Sequence, residues 1–457
     1  MRFWALLIGM FFSVHFVQAT HIMGGEITWK CQGNQYVFEL TIYRDCNQTN
    51  ISTSQESLKV WNHPSTSTVP VYFVERVDIS PACKPVAGSP PELSCGSGSF
   101  AGNGAGAIEK LVYRSNPVTL LGVPPANGWI LTFDSFSRNA SITNLVDPTN
   151  YGITITATIF KTQNSSCVDS SPQFLEDPFI IVCKGTPFTY NMNAFDPDID
   201  SLVFSLGKPL NNIQNNTFNP PADPTELQFE TNFSYLSPTP DASFDSQNQN
   251  FTINPLSGEV YFLSHTIGNF VIKVEITSYK NGEKWSVVQR EFQVLVVNCL
   301  PDNNVPVITS SIPVNVPIDV VAGSGISINF TVTDNDLLQD GQPQTVTVSA
   351  SGQMFGANYT SAAAGCTAPP CATLTETFPV SFNGTKNFSF NWQTSCDHLM
   401  NNGVMQNEKT YIFVIQAIDN YCQVPKLVYK TIKINVKNPE AGFLPEVECI
   451  LVMADGS

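Results

Sequence analysis

Along most of this chain apolar and polar side chains alternate with a period of two, which sets strands rather than helices as its building element. Tyr36, Phe38, Leu40 and Ile42 share one face of segment 35–43. Ile153, Ile155, Ala157 and Ile159 do the same in 151–159, and 270–276 and 431–436 repeat the pattern. Successive side chains of a strand point to opposite faces, so this alternation means one face buried and one wet. β-branched and aromatic residues dominate these runs, and Gly, Pro, Asn and Asp punctuate them. The expected fold is all-β: tandem β-sandwich domains, immunoglobulin-like or cadherin-like, in an elongated array.

The N-terminus predicts the compartment. Arg2 precedes an apolar run from Phe3 to Val14, and Val17-Gln18-Ala19 sets small residues at −3 and −1 of a cut site. Residues 1–19 read as a secretory signal peptide. No later segment reaches the roughly 18 apolar residues of a membrane span, so no transmembrane segment is expected. The remaining punctuation divides the chain into an N-terminal sandwich at 20–170 and two immunoglobulin-like or cadherin-like sandwiches at 171–300 and 301–438. The second and third read as a divergent repeat of about 130 residues, and arrays of repeats form rods in which each unit touches only its neighbours. Pro301 and Pro306 bracket a polar linker. Residues 439–457 read as the first strand and turn of a truncated further domain.

The chain carries a formal charge of −16, and only 13% of its residues are charged. An acidic surface repels phosphate backbones, so nucleic acid is excluded as a partner. Twelve cysteines in an exported chain predict disulfides. Cys366 with Cys371, Cys396 with Cys422, and Cys83 with Cys95 are plausible local pairs. A hairpin turn at Gly33-Asn34 sets Cys31 opposite Tyr36, which counts against pairing it with Cys46.

Carboxylates in turns form the candidate metal sites. Asp196, Asp198 and Asp200 stand at i, i+2 and i+4; three like charges held that close favour a divalent cation. Ser201 and Gly207 occupy positions where an EF-hand requires Gly and a bidentate Glu, so the cation would be Ca²⁺ in another geometry. A second set is Asp302, Asn303 and Asn304 in the linker with Asp334, Asp336 and Asp419. These segments are distant in sequence, but a sandwich gathers its loops at two ends.

No catalytic constellation accompanies them, and the chain reads as a non-enzyme. His21, His63, His265 and His398 are dispersed, and there is neither a Gly-x-Ser-x-Gly elbow nor a phosphate loop. The glycine-rich stretch 96–106 reads as a flexible loop. The tryptophans Trp29, Trp61, Trp129, Trp285 and Trp392 read as core residues rather than sugar platforms.

The opening His21-Ile-Met-Gly-Gly-Glu-Ile-Thr-Trp-Lys-Cys31, with Leu40-Thr-Ile-Tyr-Arg-Asp-Cys46, resembles the start of exported gliding motility-associated, adhesin-like surface proteins of Bacteroidota. Val182-Cys-Lys-Gly-Thr-Pro-Phe188 and Asn193-Ala-Phe-Asp196 extend the likeness. It implies a multidomain β rod delivered by type IX secretion. Modules two and three are similar to bacterial cadherin-like and immunoglobulin-like repeats through Phe251–Val260 and Gly268–Val274, and 439–457 resembles the opening of a fibronectin type III-like domain. In the cadherin-like pattern, 302–306 matches the linker, Asp334 and Asp336 the paired aspartates, and Asp419 the late calcium ligand. Module two has Glu275-Ile276-Thr277 where its late aspartate would stand, which limits the expectation to one or two ions per junction.

The expected function is a secreted, cell-surface adhesin or scaffold linked to adhesion or gliding, with Ca²⁺-stiffened junctions and a surface protein or polysaccharide as ligand. The alternative is a non-catalytic, carbohydrate-binding accessory region of a secreted enzyme.

Overall fold

The computed structural model describes residues 22–439, apart from 52, 137, 164–165, 179–180, 301–302, 315 and 402–403. The expected signal peptide, Asp302 and everything beyond Pro439 lie outside the described residues. The fold is all-β, with three short 3-10 turns as its only helical elements among the described residues.

The first unit holds β1 (Ile22–Gln32), β2 (Gln35–Asp45), β3 (Gln55–Trp61), β4 (Thr68–Asp78), β5 (Ile108–Arg114), β6 (Trp129–Phe136) and β7 (Gly152–Ile159). The second holds β8 (Gln173–Phe174), β9 (Ile181–Cys183), β10 (Pro187–Asn191), β11 (Ala194–Phe195), β12 (Ser201–Leu206), β13 (Gln249–Ile253), β14 (Glu259–Leu263), β15 (Gly268–Lys280) and β16 (Glu283–Val297). The third holds β17 (Val307–Ser310), β18 (Ile318–Val321), β19 (Gly325–Asp334), β20 (Val346–Ser351), β21 (Thr373–Leu374), β22 (Val380–Phe382), β23 (Gly384–Gln393), β24 (Met400–Asn401), β25 (Val404–Met405), β26 (Glu408–Ile418) and β27 (Leu427–Lys437).

The first two units share one sheet. Its order, β1-β2-β5-β4-β3-β6-β7-β16-β15-β12, runs across both. One edge of β16 pairs first with β7 at Ser286–Val288 and then with β1 at Arg290 and Glu291, so β16 closes the curled first unit like a stave. The close approach of β1 requires glycine: a Cβ on Gly24 would overlap the backbone of Glu291, and one on Gly25 the carbonyl of Thr41. Two buried ion pairs fasten the seam, Arg290 to Glu26 at 2.7 Å and Arg138 to Glu291 at 2.5 Å. One core follows, from Phe38, Leu40 and Ile155 through to Ile272, Val274 and Phe292. The segment at the expected 170/171 boundary is itself buried on β1: the Trp29 amide donates to Ser171 Oγ (2.8 Å) and the indole N–H to the Asp169 carbonyl (2.9 Å).

The third unit is a sandwich of sheets β17-β19-β23-β21 and β18-β27-β26-β20-β22, with Phe330, Phe390 and Trp392 facing Phe413, Ile415 and Ile434 in its core. It also lies against the second unit. Tyr429 joins the first core and meets Tyr190 edge-on at 5.6 Å. Asn191 Nδ2 donates to Thr431 Oγ1 (3.1 Å) and Lys426 Nζ to Thr186 Oγ1 (2.6 Å).

The disulfides correct two expected pairs. Cys83 bonds Cys422 rather than Cys95, and Cys95 bonds Cys46. Cys422 is thereby taken from Cys396, and the first unit is covalently tied to the third. Local spacing could not reveal this, because it depends on two loops meeting across 339 residues. Cys31 does stand opposite Tyr36 and bonds Cys167. Cys183 bonds Cys299, and Cys366 bonds Cys371 as the turn between them implies. The glycine-rich 96–106 stretch is laced down rather than free: Gly102 N–H donates to the Cys46 carbonyl at 2.9 Å, and Arg44 Nη2 to the Gly98 carbonyl at 3.3 Å.

Candidate functional site

The Asp196–Asp200 turn precedes β12 and faces the third unit. Asp196 is buried, and its Oδ1 accepts the amides of Asp198 (2.9 Å) and Asp200 (3.3 Å). Its Oδ2 accepts from Ser278 Oγ (3.1 Å). Asp198 turns away to accept the Ser170 amide (2.7 Å). Asp200 is instead drawn into a buried group with Asp169 and Lys280: Lys280 Nζ is 3.4 Å from Asp169 Oδ1 and 3.7 Å from Asp200 Oδ2. Burial, reinforced by the neighbouring carboxylates, pushes Asp169 up to about 9. Burial and then Asp200 push Asp196 up to about 7. A 290 Å³ cleft opens beside Asp196 and Asp200, with Glu408 and Lys409 of β26 on its far side. Burial lowers Lys409 to about 8, against the opposing pull of Asp200 and Asp196.

The second set meets where the linker enters the third unit. Asp334 ends β19, Asp336 follows it, and Asp419 follows β26. Asp336 is used internally: its Oδ2 accepts the Asn304 amide (2.6 Å) and Asn304 Nδ2 (3.0 Å). Asp419 is buried and accepts the amides of Tyr421 (2.9 Å) and Lys426 (3.0 Å) and Asn303 Nδ2 (3.0 Å). Asn303 Oδ1 in turn accepts from Gln344 Nε2 (2.8 Å). Asp334 is 7% exposed, its Oδ1 accepts the Asp336 amide (2.9 Å), and its Oδ2 is buried with no hydrogen-bond partner. Gln344 Oε1 is likewise buried and unpartnered. Burial, with Asp334 adding to it, pushes Asp419 up to about 7, and burial raises Asp334 as well.

The structure thus brings together Asp334 and Asp419 with Asn303, and separately Asp196 and Asp200 with Asp169. Asp198, Asp336 and Asn304 spend their groups on backbone and side-chain bonds to other segments. Asn303, read in the sequence as part of the linker's contribution, does meet Asp419; Asp169, Lys280 and Gln344 were not legible in the sequence. Among the described residues, the one group of three metal-type side chains with ligand atoms within 4.8 Å is Cys46, Cys95 and Glu109. Those cysteines form a disulfide and Glu109 pairs with Arg44 at 2.6 Å. A cation at the junction would therefore rest on two carboxylates plus amide oxygens. An oxygen-only set with two orphaned buried acceptors fits a hard cation. Of the tryptophans, Trp29, Trp129 and Trp392 are core residues, while Trp61 and Trp285 are half-buried.

No family model matches this chain, and no curated protein matches it. Among solved structures, the Dpr2 Ig1–Ig2 chain in complex with DIP-Theta Ig1–Ig3 is similar over 59% of this chain and 99% of its own, at 11% identity and a TM-score of 0.22. Protocadherin gamma B2 extracellular cadherin domains 1–5 are similar over 90% and 66%, at 13% and 0.16. The endo-fucoidan hydrolase MfFcnA4 of glycoside hydrolase family 107 is similar over 86% and 43%, at 13% and 0.16. Likenesses at these values assign neither family nor activity. The class rests on the molecule itself: an all-β, multi-unit chain with five described disulfides and no free cysteine among its described residues, a pattern of oxidising, extracellular compartments.

Proposed function

We propose that this chain is an extracellular adhesion or scaffold protein whose third unit is locked onto the others with the help of a Ca²⁺ ion held by Asp334, Asp419 and the amide oxygens beside them. The observation that carries the reading is the buried, partnerless Asp334 Oδ2 next to the buried Asp419. Leaving a buried charged acceptor unmade is costly, and a cation removes that cost. We assign the ion here rather than to the Asp196 turn, whose carboxylates already receive amides, a hydroxyl and Lys280. A rigid joint suits a protein that bears load or holds a binding face at a distance. The opening motif supports placement on the outer surface of a gliding bacterium through type IX secretion; surface proteolysis of intact cells would test that.

Titration calorimetry of Ca²⁺ into the EDTA-treated chain, with thermal unfolding in parallel, tests the ion. Saturation at 100-fold over the dissociation constant adds about 2.7 kcal/mol, and Asp334→Asn abolishes that gain. Neither heat nor a shift in melting temperature would end the calcium reading.

A further inference from the structure

A groove of 520 Å³ lies on the outer face of the shared sheet, far from the calcium joint in sequence and built from both of the first two units. Its floor is a grid of cross-strand neighbours. Ile130, Thr158, Val287 and Thr277 form one row across β6, β7, β16 and β15. Beside it, Thr156 Oγ1 donates to Gln289 Oε1 at 2.5 Å, and Gln289 Nε2 donates to Glu275 on the next strand. The floor exists only because β16 joins the units.

The long segment between β12 and β13, residues 207–248, raises one wall. It contains no strand, and structureless loops beyond about 15 residues in compact proteins are commonly functional. It is nevertheless anchored. Asp223 accepts the amides of Gln214 (2.9 Å) and Asn215 (2.8 Å), and Phe218 stacks on Trp61 at 6.1 Å. Asn144 fastens its far end by donating to the Pro238 carbonyl at 2.9 Å. Tyr235 of this segment lines the groove with Lys208 Nζ 5.4 Å from its ring centroid, and Phe160, also in the lining, has Lys284 Nζ 4.5 Å from its own.

We propose that this groove binds a neutral glycan chain. The Tyr235 and Phe160 rings in the lining supply apolar surface of the kind the C–H faces of a pyranose pack against, and the floor offers the half-buried Thr158 and Thr277 hydroxyls to its ring substituents. The lining charges cancel, with Lys208 and Lys284 against Glu226 and Glu275. On a chain of charge −16 that leaves nothing to draw in a polyanion. A peptide adding as a strand needs an open sheet edge, whereas this floor is a sheet face whose strands are paired on both sides. The assignment rests on reading the chain as an extracellular binding protein, and is independent of calcium.

The test is affinity electrophoresis of the whole chain in gels containing mannan, a mixed-linkage β-glucan, xyloglucan or alginate, run with Ca²⁺ and with EDTA. Retardation by a neutral polysaccharide, the same in both buffers, is expected. Tyr235→Ala should weaken it about tenfold. Thr158→Arg, which plants a long side chain on the floor, should abolish it, with unchanged thermal unfolding certifying the fold of each variant. Retardation by no neutral polysaccharide, retardation by alginate alone, or undiminished binding by both variants overturns the groove assignment. Binding lost only in EDTA overturns its independence from the calcium joint, while intact binding in a chain that takes no Ca²⁺ leaves the groove standing and sinks only the joint.

Discussion

Replacing Cys83 and Cys422 together by serine removes the one described covalent tie between the first and third units. A disulfide restricts the unfolded chain, and in the chain-entropy account its effect grows with the logarithm of the loop it closes. The sequence separation is 339 residues. The remaining bridges shorten the covalent path: through Cys46–Cys95, Cys31–Cys167 and Cys183–Cys299 the closed loop holds roughly 170 residues. Because the dependence is logarithmic, the effect falls only from about 6 to about 5 kcal/mol. Measured bridges often return less, so a loss of roughly 2–5 kcal/mol is expected. For a unit of some 130 residues this lowers the melting temperature of the third unit by roughly 8–20 °C. Calorimetry reads it as a low-temperature transition splitting from the main one. The control is the pair Cys366→Ser and Cys371→Ser, whose bridge spans only five residues and contributes about 2 kcal/mol in the same account. An unmoved third-unit transition in the Cys83/Cys422 variant, or an equal effect from the control, would refute the reasoning.

Other expectations follow from the buried charges and the seam. Glu291→Ala leaves Arg138 buried without its partner (2.5 Å) and should cost about 3–5 kcal/mol in urea unfolding; a loss below about 1 kcal/mol would show that the pair is dispensable. Asp196 and Asp169 have folded-state values raised from 3.8 to about 7 and about 9. The folded chain therefore holds protons that the unfolded chain has released, and stability falls as pH rises through that window. The urea midpoint in EDTA should accordingly be lower at pH 8 than at pH 5, and a higher one contradicts the burial of these carboxyls. Lys409, lowered to about 8, acts in the opposite direction only above that pH. Calcium removal by itself should leave the small-angle scattering profile unchanged, because the Cys83–Cys422 bridge and the Tyr190–Tyr429 contact still hold the third unit; an expanded profile would mean that the ion alone maintains the joint.

What the sequence determined by itself is local. The two-residue period of 35–43 and 151–159 became β2 and β7 with Phe38, Leu40, Ile153 and Ile155 buried, and the Gly33-Asn34 turn placed Cys31 opposite Tyr36. Strand character and hairpin register depend on neighbours a few residues apart, which a sequence displays directly. The acidic turns were legible as turns, and the likeness to cadherin-like repeats pointed to Asp334 and Asp419. Their chemistry was not legible, because Asp198 and Asp336 point at backbone amides while Asp169 and Gln344, from unremarked segments, complete the two clusters. Tertiary structure alone decided that β16 belongs to two units, that Cys83 meets Cys422, and that Arg138 lies buried between Glu291 and the Leu210 carbonyl of the 207–248 segment. Alternation specifies which face of a strand is dry, but not what covers it. That choice is made by contacts between segments a hundred or more residues apart, whose loop-closure cost and packing gain leave no periodic trace in the chain.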